Sequence, residues 1–483
     1  MHLSVVGLFF ALFTLTCAQI SSINYGRIVQ NLSPQDPSQK MCYGVVFDAG
    51  SSGTRVYVYK WECRKTSSTP RLQVSEQIPE KSIRGGISKF SSNPNAAGPS
   101  LIELINFAKG IVPSEQLSWT PIFLRATAGM RLITPDQQAA ILDSIRKTFR
   151  ESGFRFEDEG WARVITGQEE GAYGWVASNY LHDLIKKQVD GTKTRAMMEC
   201  GGASLQITFV QPQDPPKNKI NINFPDINQY VLYTHSYLGY GQDQARNEVI
   251  KASIVNPNDD TVISPCYNKN FNSTNVFSGN PNLRVIGSGD ATKCAALIKD
   301  YMKLDPACKD CSIGGNYYPG IPEGMSIDGL GSFVFVNQFY NFTDSFSANA
   351  LFARVNDFCS SEWSSVQRDH KVDEFLSTRC FSGIYVSQLL TSAFRVDPDT
   401  AISARSKIKD VTVVWTLGSM LFDMSTLRCS PGTEDCIYDD DRYKKALLYT
   451  FISVLSFAIV VVVLTVIIVA VRRRQRQRMY NRV

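Results

Sequence analysis

The chain has 483 residues, 43% apolar and 20% charged, a composition that excludes disorder as the main state and leaves room for two or three domains with cores of their own. Its net charge of +5 misleads, because residues 472–483 hold six arginines and no acid, and without them the chain is close to neutral. No basic footprint remains for nucleic acid.

In chain order, residues 1–18, "MHLSVVGLFFALFTLTCA", have an apolar core and small residues near the end, as a signal peptide does. The absence of Lys and Arg in the first residues keeps an uncleaved N-terminal anchor as the alternative. "CYGVVFD" (42–48) and "RVYVYKWE" (55–62) read as strands of a hairpin joined by a turn of small residues. If that turn centres on Ser52 and Gly53, Cys42 stands opposite Cys63, and a cross-strand disulfide is expected. "TPIFLRA" (120–126) is a further apolar run. Thr134, Pro135 and Gln137 then supply an N-cap, a first-turn proline and a capping-box partner, with Ile141, Leu142, Ile145 and Phe149 as the buried stripe of a helix.

A second helix is expected from near Glu170, with Ala172, Trp175, Val176 and Tyr180 on one face. Residues 195–209, "RAMMECGGASLQITF", repeat the opening theme of apolar strand, carboxylate, glycine-rich turn and apolar strand. Two copies about 150 residues apart predict a duplicated mixed α/β unit with the two turns face to face across a cleft. Residues 210–285 are polar and read as loop-heavy, and 429–441 as a short acidic stretch.

Residues 446–471 carry no charge and are long enough to cross a bilayer with some tilt. Arg472, Arg473, Arg474, Arg476 and Arg478 follow, which puts the tail in the cytosol and what precedes the span outside or in a lumen. With Cys17 in the signal, eleven cysteines remain, and in an oxidising compartment they are expected to form disulfides and leave one thiol free. Asn31, Asn272 and Asn341 head glycosylation acceptor triplets, in keeping with that location.

The chemistry is expected at the glycine-rich turns. Successive backbone N–H groups there can hold phosphate oxygens without a compensating charge. Each of the two turns follows an acid, Asp48 and Glu199, and a facing pair of oxygen donors suits a hard divalent cation held partly through waters. Thr127, Ala128 and Gly129 make a third small-residue turn, whose local reading is a plain loop with solvated arginines at 125 and 131. Glu170, beside Glu169 and between Gly167 and Gly171, is the leading general-base candidate, although the sequence leaves open which of the two acids faces the site.

The stretches "VVFDAGSSGTRVYVYKW", "FLRATAGMRLI", "ITGQEEGAYGWVASNYL", "MECGGASLQITF" and "VVWTLGSML" resemble, in order and spacing, the five signature regions of the ecto-nucleoside triphosphate diphosphohydrolases, or apyrases. The resemblance runs from about Tyr43 to Phe422 and extends to the C-terminal anchor of the cell-surface members. It implies a two-lobed actin-like, RNase-H-like α/β fold. Lobe I would span 42–180 and lobe II 181–405, followed by a return segment and stalk over 406–440, a transmembrane helix over 446–471 and a basic tail over 472–483. The implied activity is Ca²⁺- or Mg²⁺-dependent hydrolysis of nucleoside tri- and diphosphates to monophosphates on the extracellular face, without a covalent phosphoenzyme.

By motif position, Glu170 would activate water held by Ser204 and Gln206, and Asp48, Glu199 and Trp415 would hold the cation through waters. Ser51, Ser52, Gly53, Thr54, Thr127, Ala128, Gly129, Gly201, Gly202, Ala203 and Ser204 would cradle phosphates, and Tyr340 and Phe394 would sandwich the base, with an apolar core role for either as the alternative from spacing alone. The family implies the disulfides Cys266–Cys294, Cys308–Cys311, Cys359–Cys380 and Cys429–Cys436 besides the hairpin pair, with Cys200 free, and makes self-association through membrane helices plausible. Three positions depart from its pattern: Glu199 stands where Asp is usual, one C–C bond longer or roughly 1.5 Å, Gly53 where many cell-surface members have His, and Ser419 where Tyr is common. The competing readings are a lumenal nucleoside diphosphatase of the secretory pathway and a catalytically weakened nucleotide-binding ectodomain.

Overall fold

The computed structural model describes residues 41–62, 76–426 (without 188, 214, 225, 226 and 257) and 451–476 (without 453, 454, 456, 457 and 460). Residues 41–62 and 70–426 belong to one compact unit, and everything below concerns that unit unless stated.

The strands are β1 (Met41–Ala49), β2 (Gly53–Glu62), β3 (Glu76–Arg84), β4 (Ile122–Ala126), β5 (Ala162–Val164), β6 (Ala196–Cys200), β7 (Ser204–Val210), β8 (Lys219–Phe224), β9 (Asn228–Leu238), β10 (Thr261–Ser264), β11 (Asn272–Ser273), β12 (Arg284–Gly287), β13 (Ile327–Gly331), β14 (Ser345–Phe346) and β15 (Ile402–Ser403). The helices are α1 (Ile102–Lys109), α2 (Ala128–Arg131), α3 (Pro135–Glu151), α4 (Gly167–Leu181), α5 (Gln242–Ala252), α6 (Ala291–Met302), α7 (Ser332–Phe339), α8 (Ala348–Ser360), α9 (Trp363–Asp369), α10 (Arg379–Gln388) and α11 (Trp415–Thr426).

The first sheet has the order β3-β2-β1-β4-β5, and the second contains the run β9-β7-β6-β13-β15. In both, the first three strands named are antiparallel neighbours and the last three are parallel. One strand order with one pattern of directions, used twice, is the duplication that the two glycine-rich turns predict. Residues 210–285 depart from expectation. They contain β8, the eleven-residue β9 and α5, because an edge strand such as "KININF" keeps its apolar side chains on one face and reads as polar in bulk.

The hairpin register also differs. Cys42 lies opposite Trp61, and Ala49 opposite Thr54, so the turn centres between Ser51 and Ser52. Gly53 is already part of β2, paired with Arg84 of β3, and the Gly50 amide closes the turn on the Gly53 carbonyl at 2.9 Å. Cys42 is nonetheless disulfide-bonded, to a partner outside the described residues. Cys266–Cys294, Cys308–Cys311 and Cys359–Cys380 are joined, and Cys200 is a buried free thiol. The pair Cys429–Cys436, the segment 1–18 and Asn31 lie outside the described residues. Asn272 and Asn341 are exposed.

Helix α3 forms as its local signals dictate. Thr134 and Gln137 make a reciprocal capping box, Pro135 occupies the first turn, and Ile141, Leu142, Ile145 and Phe149 are buried. Phe149 meets Phe47 of β1 at 5.2 Å between ring centres, within the core of the first sheet. Each such side chain contributes roughly 1.5–3 kcal/mol by burial.

Helices α4 and α11 pack against each other between the sheets, which explains why α4 has no exposed face and shows no single apolar stripe. A Cβ added at Gly418 of α11 would lie 1.8 Å from the Tyr173 carbonyl of α4. On its far side α11 reaches the first sheet, where Asp423 pairs with Arg125 of β4 at 2.8 Å and Thr416 bonds Tyr59 of β2 at 2.8 Å. Ser419 Oγ donates to the same Asp423 at 3.1 Å.

In the second unit, residues 461–476 are helical and their apolar side chains are exposed. Among the described residues no helix is long and apolar enough to cross a membrane, and the expected span over 446–471 falls partly outside them.

Candidate active site

The sheet register sets out the site. Across β6, β7 and β9, Glu199 faces Gln206 and Gln206 faces Ser236 in one row, with Met197, Thr208 and Thr234 in the next. Because side chains alternate along a strand, β7 directs Leu205, Ile207 and Phe209 into the apolar core and Ser204, Gln206 and Thr208 to the opposite face.

Helix α4 covers that polar face through glycines at i, i+4 and i+7. A Cβ at Gly167 would lie 2.2 Å from Ser236 Oγ, one at Gly171 2.6 Å from Thr208 Oγ1, and one at Gly174 3.3 Å from Glu199 Oε2. Only bare Cα atoms allow the helix so close, and that approach brings Glu170 to Gln206.

Glu170 is 7% exposed and ion-paired with Arg131. The Gln206 amide Nε2 lies 3.1 Å from Glu170 Oε2, 2.8 Å from Ser204 Oγ and 3.1 Å from Ser236 Oγ. Burial raises the Glu170 pKa, and Arg131 works against that rise. Glu169 has a different position: it caps α4 reciprocally with Thr166 and pairs with Arg163 through two contacts of 2.6 and 3.0 Å. The helix therefore starts at Gly167, and the two adjacent acids separate, one as a cap and one into the site.

Asp48 is 9% exposed, 3.6 Å from the Arg55 guanidinium. Burial pushes its carboxyl up to about 7 against the pull of Arg55, with Glu170 and Glu80 adding to the rise. Glu199 is raised well above the usual carboxylate range by burial and then by Glu170 and Asp48. Its Oε2 is buried without a hydrogen-bond partner. Three buried carboxylates, of which Glu199 is raised by the other two and carries an unpaired oxygen, fit a divalent cation. No described group of three or more His, Cys, Asp or Glu is close enough to ligate a metal directly.

The three small-residue turns meet at Ser51. A Cβ at Gly129 would lie 2.9 Å from Ser51 Cα, and one at Gly202 would lie 3.2 Å from Ser51 Oγ. The Gly201 and Gly202 carbonyls accept from the first turn of α5, from Gln242, Asp243 and Gln244. In a trans peptide the N–H opposes the preceding carbonyl, so the Gly202 and Ala203 N–H groups point away from that helix. Thr127 precedes α2, whose first amides, at Ala128 and Gly129, have no intrahelical acceptor. Thr54 Oγ1 is buried and unpartnered; Ser52 is exposed and Gly53 buried.

Arg125 and Arg131 are not the solvated arginines of the local reading. Arg125 is 3% exposed and also donates to the Gly160 and Trp161 carbonyls, and Arg131 faces Glu170. Trp415 opens α11, packed with Ile165 and Tyr173.

Tyr340 and Phe394, expected to sandwich the base, are both built into the apolar core. Tyr340 is edge-on to Phe339 and Phe358 and donates its hydroxyl to the Arg379 carbonyl at 3.0 Å. Phe394 lies against Tyr237 and Tyr318. Phe335 of α7 is 58% exposed, one turn beyond Ser332, whose Oγ donates to the Cys200 carbonyl at the end of β6. Phe335 and Ser236 were not singled out from sequence, and Arg131 was read only as a solvated loop arginine. The alternation of Thr234 and Ser236 in "YTHSYL" is the local signal that could have marked β9.

The sequence model of the GDA1/CD39 (nucleoside phosphatase) family matches residues 35–436. The chain belongs to this family. It is 32% identical over 410 residues to Probable apyrase 5 of Arabidopsis thaliana, covering 80% of this chain and 82% of that protein. It is 33% identical over 423 residues to ectonucleoside triphosphate diphosphohydrolase 3 of Homo sapiens, covering 78% and 77%. Among solved structures, a nucleoside triphosphate hydrolase from Neospora caninum matches with a TM-score of 0.59 at 15% identity, over 85% of this chain and 97% of that one, a likeness of fold. This GDA1/CD39 member is thus an apyrase-type enzyme, a hydrolase of nucleotide phosphoanhydrides with a mixed α/β fold.

Proposed function

We propose that the chain hydrolyses nucleoside tri- and diphosphates to monophosphates and phosphate by direct, divalent-cation-dependent attack of water. The observation that carries this reading is the contact of Gln206 with both Glu170 and Ser204. A carboxylate and a hydroxyl that share one amide within hydrogen-bond reach can hold a water molecule and take its proton, and Glu170 is the one base among them. Its elevated pKa, set by burial, keeps it basic enough for that task.

Asp48 and Glu199 would hold Ca²⁺ or Mg²⁺ through waters. When bound, the cation supplies positive charge against the phosphate oxygens. The turns at Ser51–Thr54, Thr127–Gly129 and Gly201–Ser204 would bind phosphate by backbone amides and hydroxyls, donors already fixed before charge develops. Phe335 would offer a ring face to the base, a contact that any nucleobase can make.

The twofold use of one strand order supports an actin-like pair of RNase-H-like lobes with nucleotide between them. The three disulfides joined wholly among the described residues support an oxidising compartment. The uncharged segment 446–471 with its flanking arginines supports membrane anchorage with the catalytic unit outside.

Phosphate release from ATP, ADP and UDP, measured with Ca²⁺ or Mg²⁺ and again with EDTA, tests the reading. All three substrates should be consumed and EDTA should abolish release. Full activity in EDTA would remove the cation from the account, and consumption of diphosphates alone would favour the lumenal diphosphatase.

A further inference from the structure

Gln206 is surrounded by more acceptors than it can serve. Its Nε2 carries two hydrogens, yet three oxygens lie within 3.1 Å: Glu170 Oε2, Ser204 Oγ and Ser236 Oγ. An ionised carboxylate only accepts, so one amide hydrogen belongs to Glu170. The second is shared by two hydroxyl oxygens, Ser204 at 2.8 Å and Ser236 at 3.1 Å, each of which keeps its own O–H.

We propose that Ser236 is a positioning residue that shares the second amide hydrogen of Gln206 with Ser204 and so fixes the amide in the orientation that reaches both Glu170 and Ser204. The inference rests on the proposed roles of Glu170, Ser204 and Gln206. The register carries it, because Ser236 is the direct cross-strand partner of Gln206, a placement that keeps facing side chains in contact. Its surroundings are equally fixed: a Cβ at Gly167, the first residue of α4, would lie 2.2 Å from both Cβ and Oγ of Ser236. The backbone of the helix that carries Glu170 therefore backs Ser236 directly, and the hydroxyl is held towards Gln206. Without Ser236, the amide loses one of the oxygens that fix its orientation, and its alignment with Glu170 and Ser204 relaxes.

The test is a double-mutant cycle on the full chain, reading kcat and KM for ATP in Ca²⁺, with melting temperature as a folding check. Ser236→Ala should lower kcat about tenfold with KM within about twofold, the scale of one hydrogen bond made in the transition state. In a Gln206→Ala background the same substitution should change kcat less than about twofold, because Ser236 acts through that amide. Should Ser236→Ala fail to fold, Ser236→Cys keeps the side-chain size with a weaker acceptor and should show the same pattern at smaller amplitude. Wild-type kcat in Ser236→Ala beside an inactive Glu170→Gln overturns the role of Ser236 alone, as does an undiminished loss in the Gln206→Ala background. Wild-type kcat in Glu170→Gln overturns the reading of the site, and this proposal with it.

Discussion

Gly171→Ala is the substitution that most sharply separates ordinary helix propensity from the geometry of this site. In an exposed helix it would gain up to about 1 kcal/mol. Here the new methyl carbon would lie 2.6 Å from Thr208 Oγ1 and 2.8 Å from Thr234 Oγ1, where ordinary contact begins at 3.4 Å, a shortfall of about 0.8 Å. The two hydroxyls are buried and bonded to each other at 2.8 Å, so neither can simply swing aside. Helix α4 must lift, and a lift of about 0.8 Å takes the Gln206–Glu170 contact from 3.1 Å to nearly 4 Å, outside hydrogen-bond range. Overpacking of this kind costs about 1–3 kcal/mol of stability, and a displacement near 1 Å costs about a hundredfold in rate. Steady-state phosphate release and a thermal melt on the purified variant measure both. Activity within threefold of wild type, with an unchanged or higher melting temperature, would refute the close packing of α4 on the second sheet.

Asp328 is buried among Arg195, Ser178 and His182. Burial alone would raise its carboxyl, but His182, Arg195 and Ser178 bring it down to about 2. A depressed pKa contributes stability present above the unfolded value near 4 and lost as pH falls through 4 towards 2, on the order of 2 kcal/mol. Asp328→Asn should lose that amount at pH 7 in denaturant titration and show a flatter stability profile between pH 4 and 2 than wild type. Gly53→His, which places its Cβ 2.7 Å from the Ile83 carbonyl of the neighbouring strand, should destabilise the protein by about 1–3 kcal/mol; a neutral melt would show that the β2–β3 edge gives way freely. Because the Asp48 carboxyl is pushed up to about 7, protons compete with the cation, and calorimetric Ca²⁺ affinity should rise between pH 6 and pH 8 with proton release. A pH-independent affinity would remove Asp48 from the cation site.

What could be read in advance divides by the range of the interaction. Helix α3 was legible to the residue because cap, proline and stripe all lie within its own turns. The polar face of β7 was legible from alternation, and the duplication from two similar turns. The start of α4 had a local signal, Thr166 with Glu169 three residues on, but local pattern left open which of the two adjacent acids faces the site; motif order named Glu170, and the fold makes Glu169 the cap. Gly167, Gly171 and Gly174 read as poor helix formers, and their reason is a sheet that comes next in the chain. Ser236 and Arg131 reach Glu170's surroundings from distant segments, and no local period encodes that. Tyr340 and Phe394 were placed by motif order, which carries no information on burial, and both rings went to the core.

The central claim, that Glu170 is the base and Glu169 is not, is tested most directly by comparing Glu170→Gln with Glu169→Gln for ATP hydrolysis under saturating Ca²⁺. Glutamine at 169 keeps a side-chain oxygen for the cap, so kcat should stay within about threefold, while Glu170→Gln should lose about a hundredfold or more in kcat with nucleotide binding retained. Equal losses in the two variants, or a Glu170→Gln enzyme turning over at the wild-type rate, would contradict the account.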